Sequence, residues 1–303
     1  MTESFPFPRR APMRITFTLG LAVLVVFAIV PAVGVLFIAF TDIRGIVGIP
    51  VHWIGLDNFV SFFSAAHLGY NLNAIKNTLI YAIVSTVVGI VLALGIAVLL
   101  NQKFTGTNAY RAIVFLPTVL GVTVIGLIWS LIFNPSAGPA ASIWKLFGAD
   151  SAFFGDPHMA LGLVIAVQIW AGLGTSVVIF LAGLQAIPED LYESSSMDGA
   201  GPWQQLRMVT IPMLAPSITA NVLLGIVGSL QSYQLTYVLT GANNPATQLL
   251  SLAIFSQGFG GSSASGVSQS QGYAAAISIV QFVIVGVISL VVLQYLRRRE
   301  ARL

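Results

Sequence analysis

Six long apolar stretches run through this chain, and none of them carries Asp, Glu, Lys, Arg or His in its interior. A helix needs about 20 mostly apolar residues to cross the hydrocarbon core of a membrane, where every backbone polar group must find its partner within the protein. The sequence therefore predicts an all-α integral membrane protein with six transmembrane helices. The predicted spans are Ile15–Phe40, Ile75–Leu100, Tyr110–Phe133, Ala160–Leu184, Ser217–Leu239 and Ala274–Tyr295.

The small number of charges excludes other classes of protein. Charged residues make up 8% of the 303 residues, against roughly 25% in an ordinary soluble domain, so a soluble enzyme is excluded. The chain has no cysteine, and its three histidines are scattered along the sequence. We therefore expect no metal site and no catalytic residue. The basic residues lie at the ends of apolar stretches, not on one face, which argues against nucleic acid as a partner.

The distribution of Lys and Arg predicts the orientation, because cytoplasmic loops of membrane proteins carry an excess of these residues. With the N-terminus inside, ten of the 13 basic residues are cytoplasmic and both termini lie in the cytoplasm. The predicted parts are a cytoplasmic tail at 1–14, a six-span domain at 15–296 and a basic tail at 297–303. The outer segment 240–273 is rich in Gly, Ser and Gln and is predicted to be loop.

The uncharged spans also bear on the energy source. A charge at the membrane centre costs about 2.5–3.5 kcal/mol, and those that persist usually serve proton or ion pathways. Their absence argues against a proton-coupled or sodium-coupled carrier. The phosphate-binding pattern Gly-x4-Gly-Lys-Ser/Thr is absent as well. We therefore expect the driving energy to come from another chain.

The fifth predicted span is the most polar one. On a continuous helix Gln231 and Gln234 share one face, and Tyr233 and Tyr237 share a neighbouring one. These amides and phenols are suited to binding an uncharged, hydroxyl-rich solute. The alternative is hydrogen bonding between helices, worth about 0.6 kcal/mol per contact in membranes. In the fourth span helix packing is the favoured interpretation for Gln168, Trp170, Thr175 and Ser176.

The cytoplasmic segment 185–216 has clear helix start and stop signals. Pro188 suits the beginning of a helix, and Gly199 suits its end because glycine adopts the left-handed conformation freely. A second short helix is predicted from Pro202, with Pro212 and Pro216 forcing an extended exit into the fifth span. The sequence thus predicts a rigid helix–turn–helix with exposed apolar groups. A loop that folds back on the bundle is the alternative.

This segment resembles the EAA loop of binding-protein-dependent ABC importer permeases. That pattern runs Glu-Ala-Ala, two residues, Asp-Gly-Ala, and then a helix ending in Ile-x-Leu-Pro. Here Glu193-Ser194-Ser195 and Asp198-Gly199-Ala200 stand at the matching positions, followed by Pro212. Further stretches are similar to the maltose-type (carbohydrate uptake) branch of the family: Gly55-Leu56-Asp57-Asn58-Phe59, Phe115-Leu116-Pro117 and Tyr237-Val238-Leu239-Thr240.

The resemblance implies the type I ABC importer fold of the MetI or maltose-permease kind, in a bacterial or archaeal cytoplasmic membrane. It implies two ABC ATPase subunits that bind ATP and Mg, an extracytoplasmic solute-binding protein, and a second permease subunit, with a related chain favoured over a copy. No cofactor is expected in this chain. The residues implied in coupling to the ATPase are Glu193, Ser194, Ser195, Asp198, Gly199, Ala200, Trp203 and Pro212.

The implied solute is a neutral polyhydroxyl compound, a sugar or an oligosaccharide, with a glycerol-phosphate-type compound as a further candidate. The residues expected to line its path are Gln231, Tyr233, Gln234 and Tyr237. A secondary carrier or facilitator for a small neutral solute is the alternative. It accounts for six spans and a polar fifth helix, but it leaves the pattern in 185–216 unexplained.

Overall fold

The computed structural model describes residues 10–45, 48–102, 105–148, 150–260 and 270–300. Apart from one isolated bridge between Thr41 and Trp53, these residues form helices, turns and loops. The helices are α1 Arg10–Leu24, α2 Val30–Ile38, α3 Asp57–Phe63, α4 Ala65–Asn101, α5 Thr107–Val119, α6 Val122–Ile132, α7 Pro139–Leu146, α8 Ala160–Gln185, α9 Glu189–Met197, α10 Pro202–Gln205, α11 Ile211–Met213, α12 Ala215–Leu230, α13 Gln234–Thr240, α14 Leu250–Phe259 and α15 Gln271–Glu300.

Four of the predicted spans are continuous helices long enough to cross a membrane. They are Ile15–Ile38, Ala65–Asn101, Ala160–Gln185 and Gln271–Arg298. The first joins α1 to α2 through a π-helical turn at Val25–Ile29. Because α1 begins at Arg10 and α15 continues to Glu300, helix extends into both predicted tails, whose outer residues lie outside the described part of the chain.

The third predicted span is not one straight helix. The axes of α5 and α6 meet at an angle of 102°, and Leu120 and Gly121 between them have extended backbone. Pro117 in the last turn of α5 has no N–H to continue the helical hydrogen bonding, and glycine is a poor helix former. The prediction of a single helix over Tyr110–Phe133 was therefore wrong.

The fifth predicted span is also interrupted, since α12 ends at Leu230 and α13 begins at Gln234. Side chains from other helices bond to the interruption. Gln281 Nε2 donates to the carbonyl of Leu230 at 2.8 Å, and Ser251 Oγ donates to the carbonyl of Ser232 at 2.6 Å. Irregular backbone at membrane depth needs such partners. The prediction of a continuous helix at Ser217–Leu239 was wrong, and with it the shared face of Gln231 and Gln234.

The outer segment 240–273 contains a helix where loop was predicted. Residues 250–259 form α14, while the rest of the glycine- and serine-rich stretch, 261–269, lies outside the described residues. A short 3₁₀ turn at Pro245–Thr247 precedes α14 and is held against α4, where Asn73 Nδ2 donates to the carbonyl of Pro245 at 2.7 Å. The apolar run that opens α14 supplies its buried face.

The helices α4, α8 and α12 pack together and form the centre of the bundle. Ala93 and Ala97 of α4 are fully buried next to Val177 and Phe180 of α8. Small side chains at such contacts let helix backbones approach closely, and this close packing is what holds helices together in lipid. The bundle thus packs α8 and α12, which flank the cytoplasmic segment, against α4 and against each other.

Candidate functional site

The helix α9 opens the cytoplasmic segment and ends where the sequence predicts. Glu189 and Asp190 lie in its first turn, where negative charge is favourable. At the other end Gly199 has a φ of +82°. The N–H of Ala200 donates to the carbonyl of Ser195, and that of Gly199 to the carbonyl of Ser196, both at 3.0 Å. These two bonds form a complete Schellman motif, which fixes the turn after the helix.

Two side-chain hydrogen bonds tie the halves of this helix–turn–helix together. The hydroxyls of Tyr192 and Thr210 are 3.0 Å apart, and Gln205 Nε2 donates to Ser196 Oγ at 2.8 Å. Thr210 is buried under this contact. These bonds connect α9 to α10 and to the π-helical turn that follows it, and they favour the predicted rigid helix–turn–helix.

The second half differs from the prediction at its exit. The segment stays helical from Pro202 through a π-helical turn at Leu206–Thr210 and on into α11, and α12 follows at an angle of 67°. Pro216 lies in the first turn of α12, where a missing N–H costs no hydrogen bond, and Pro212 lies within the helical stretch that ends at Met213. The predicted extended exit was therefore wrong.

The helix–turn–helix presents large apolar side chains to its surroundings. Met197 is 84% exposed, Trp203 74% and Met208 71%. This confirms the predicted exposure for Trp203, although Leu206, Val209 and Ile211 are half-buried, and it contradicts a loop that folds back on the bundle. Glu193 and Asp198 are exposed beside them, while Ser195 Oγ donates to the carbonyl of Tyr192 at 2.9 Å. An exposed surface of apolar and acidic groups at the end of a membrane protein is typical of a docking site.

The base of the helix–turn–helix is tightly packed against the bundle. Leu214 is fully buried, and Ile187 is buried with it in one apolar cluster. Gly183 near the end of α8 lies so close to Leu214 and Ser217 that an added Cβ would overlap both side chains. The helix–turn–helix is therefore in direct packing contact with the ends of α8 and α12.

A cavity of about 210 Å³ lies between α4, α8 and α12. This volume far exceeds the roughly 10–15 Å³ that a single water needs, so the cavity can hold several waters. Its described lining contains no charged residue, and polar side chains make up nearly half of it, the rest being small or aliphatic. The polar lining residues are Ser85, Thr86, Gln168, Thr175, Ser176, Asn221 and Ser229.

The sequence interpretation partly missed this cavity. It favoured helix packing for Gln168, Thr175 and Ser176, which the structure places on the cavity wall. It did not single out Thr86 or Asn221, both nearly fully buried. Their signal was a polar residue inside an apolar run, but only the packing of three helices shows that these residues face one space.

The four predicted path residues of the fifth span lie outside the lining of this cavity, next to the interruption. Tyr233 stacks on Phe255 with ring centroids 4.8 Å apart, and Tyr237 meets the same ring edge-on at 5.2 Å. Gln231 and Gln234 are exposed on either side of Tyr233. The structure thus brings the two tyrosines together around Phe255, and their part in a solute path stays a prediction.

On the outer side, Asp42 and His52 form an exposed pair. The backbone N–H of His52 donates to Asp42 Oδ1 at 2.6 Å, and its ring Nδ1 lies 3.0 Å from Oδ2. The backbone bond, then the ring, holds the pKa of Asp42 below its usual value. Within the described residues no group of three or more His, Asp or Glu lies close enough to hold a metal ion.

Comparison with known proteins agrees with this architecture. Residues 86–302 match the family described as binding-protein-dependent transport system inner membrane component. The chain is 30% identical to the trehalose/maltose transport system permease protein MalF of Thermococcus litoralis over 92% of both chains. It is 30% identical to the multiple sugar-binding transport system permease protein MsmF of Streptococcus mutans, over 91% of this chain and 92% of the relative.

Solved structures share the fold. A bacterial ABC transporter involved in the import of the acidic polysaccharide alginate superposes with a TM-score of 0.79 at 24% identity, covering 94% of this chain and 95% of that one. The predicted fold class and membrane location are confirmed. This chain belongs to the family of binding-protein-dependent ABC importer permeases, whose members work with an ATPase and a solute-binding protein.

Proposed function

We propose that this chain forms part of the path by which a neutral carbohydrate crosses the membrane, and that it couples this path to separate ATPase subunits. One observation carries the proposal: the helix–turn–helix joins α8 to α12, and these two helices form two of the three walls of the polar cavity. A movement imposed on the exposed loop therefore reaches the cavity through packed helix ends. The chain needs no energy source of its own for such a switch.

The exposed face of the helix–turn–helix is assigned to a groove on the ATPase subunit. Trp203 and the methionines supply apolar area, and Glu193 and Asp198 supply charge at its edge. Gly199 and Ala200 fix the turn, and Pro212 lies in α11, which leads back to the bundle. ATP and Mg are bound by the ATPase. The chain itself carries no ATP-hydrolysing site and no cofactor in this proposal.

The cavity lining supports a neutral solute. Its hydroxyl and amide groups can exchange hydrogen bonds with sugar hydroxyls, whereas an anion such as a glycerol phosphate calls for a cationic side chain that the described lining lacks. The relatives that are named for trehalose, maltose or multiple sugars support the same class. We assign the second permease to a related chain and not a copy, on the family resemblance.

Uptake by the reconstituted complex tests this function. The chain, its partner permease, the ATPase and the binding protein are placed in liposomes, and labelled maltose, trehalose, maltotriose and diacetylchitobiose are offered in turn. The proposal expects accumulation of at least one sugar only when ATP is present. Uptake without ATP, or uptake that an ionophore abolishes while ATP is maintained, would support the secondary carrier instead. Absence of uptake for every sugar would contradict the carbohydrate assignment.

A further inference from the structure

Three aromatic rings form a row beside the interruption of the fifth span, and a fourth ring lies against the middle one. Beyond the stacked pair of Tyr233 and Phe255, the ring of Phe255 lies 5.9 Å from that of Phe259 one turn further along α14. Tyr237 is the fourth ring, with its edge against Phe255. We call these four residues the aromatic track.

The track runs from the depth of the interruption to the outer end of the bundle. Near the start of α14, Ser251 bonds to Ser232 inside the interruption. Near its end, Gly258 lies against Ala274, within a turn of the outer start of α15. Along the chain, the inner end of the track, Tyr233, comes four residues after Ser229 on the cavity wall.

The exposure of the track favours a carbohydrate over lipid. Phe259 is 79% exposed and Tyr237 42%, so these rings still have free surface. Two exposed amides, those of Gln231 and Gln234, flank Tyr233. Polar side chains facing acyl chains are unfavourable, so a purely lipid-facing surface would not combine them with the rings. Aromatic faces beside amides match a sugar ring, which has apolar C–H faces and a rim of hydroxyls.

We propose that the aromatic track is a stacking site for sugar rings on their way from the outer surface to the cavity, with Phe255 and Phe259 as its unassigned binding residues. This inference rests on the proposed carbohydrate function. Tyr233 and Phe255 cover one face of each other at 4.8 Å, so the exposed rings of Tyr237 and Phe259 beside them offer the free apolar faces on which a sugar ring can stack. Ser251 positions the inner end by bonding to the interruption.

The test measures sugar molecules imported per ATP hydrolysed, using the reconstituted complex and the sugar of the panel above that the wild type imports fastest. Phe255→Leu and Phe259→Leu remove the rings but keep apolar volume, and Phe255→Tyr keeps the ring. Phe282→Leu on α15, where the side chain is 76% exposed, is the matched control. An aromatic contact corresponds to a factor of roughly two to ten. We expect a loss of that size in each leucine variant, near-normal import in Phe255→Tyr and Phe282→Leu, and unchanged ATPase activity.

If both leucine variants import as much sugar per ATP as the wild type, the track is not a stacking site for sugar, while the proposed carbohydrate function still holds. Loss of the partner permease from the purified Phe259→Leu complex would identify the row as a subunit interface, which also overturns it. If the wild type imports none of the sugars, the proposed function fails and the track fails with it.

Discussion

Replacing Gly199 by alanine should weaken docking of the ATPase subunit without disturbing the membrane helices. Gly199 has a φ of +82°, and an L-residue in the left-handed region costs roughly 1–2 kcal/mol. In the free variant the exposed turn relieves this strain by leaving the Schellman conformation. Docking requires that conformation, so the strain energy is subtracted from the binding free energy. At 1.4 kcal/mol per factor of ten, the dissociation constant for the ATPase should rise about five- to thirtyfold. Gly199→Pro, which cannot adopt a positive φ, should abolish docking.

The assay titrates the ATPase subunit onto the permease in lipid nanodiscs and measures sugar uptake by the same variants. Gly148→Ala is the matched control, because Gly148 has a φ of +71° but lies in an outer segment with open space around it. It should carry a similar backbone strain and leave docking unchanged. Normal affinity and normal uptake in a well-expressed Gly199→Ala protein would refute the assignment of this turn to coupling.

The other predictions concern the rigid loop, its base, the cavity and the outer pair. Tyr192→Phe removes the hydrogen bond to Thr210, worth about 1 kcal/mol, and should lower the amount of sugar imported per ATP while membrane insertion stays normal. The same amount of sugar per ATP in the variant and the wild type would count against a rigid helix–turn–helix. In Gly183→Val the new side chain overlaps Leu214 and Ser217, which should cost about 1–3 kcal/mol of stability and lower the melting temperature. An unchanged melting temperature would show that α8 and α12 are free to separate. Gln168→Leu on the cavity wall should reduce sugar import roughly two- to tenfold at normal ATPase activity. Gln294→Leu is the control, because Gln294 is exposed on α15. Equal sugar import by the two variants would show that Gln168 does not contact the sugar. The pKa of Asp42 is lowered in the folded chain, so its bond to His52 stabilises the fold above the ordinary carboxyl pKa, and this stabilisation is lost as the pH falls through the lowered value. On acidification below about pH 4, the melting temperature of Asp42→Asn should therefore fall less than that of the wild type. Parallel plots of melting temperature against pH for the two proteins would contradict this.

Features fixed by local sequence were predictable, and features that depend on distant residues were not. The fourth span was predicted at Ala160–Leu184 and is found at Ala160–Gln185, because an uninterrupted apolar run decides it. The helix end at Gly199 follows equally from one residue's conformational freedom. By contrast, the interruption after Leu230 is stabilised by Gln281, which is 51 residues away.

The cavity escaped prediction for the same reason. Gln168, Thr86 and Asn221 belong to three different helices and face one space only after those helices pack. In isolation each looks like a polar residue that bonds to a neighbouring helix. The helix α14 was not predicted either, because the glycine- and serine-rich sequence after it led to a prediction of loop for the whole segment, including these ten residues.

Affinity purification of this chain from its native membrane, in a mild lipid-preserving detergent, tests the central claim most directly. The proteins that accompany the chain are identified by mass spectrometry, with Gly199→Pro purified in parallel. We expect an ABC ATPase and a second, related permease with the wild type, and loss of the ATPase alone with the variant. A chain that reproducibly purifies without an ATPase, or an ATPase retained by Gly199→Pro, would contradict coupling through the helix–turn–helix.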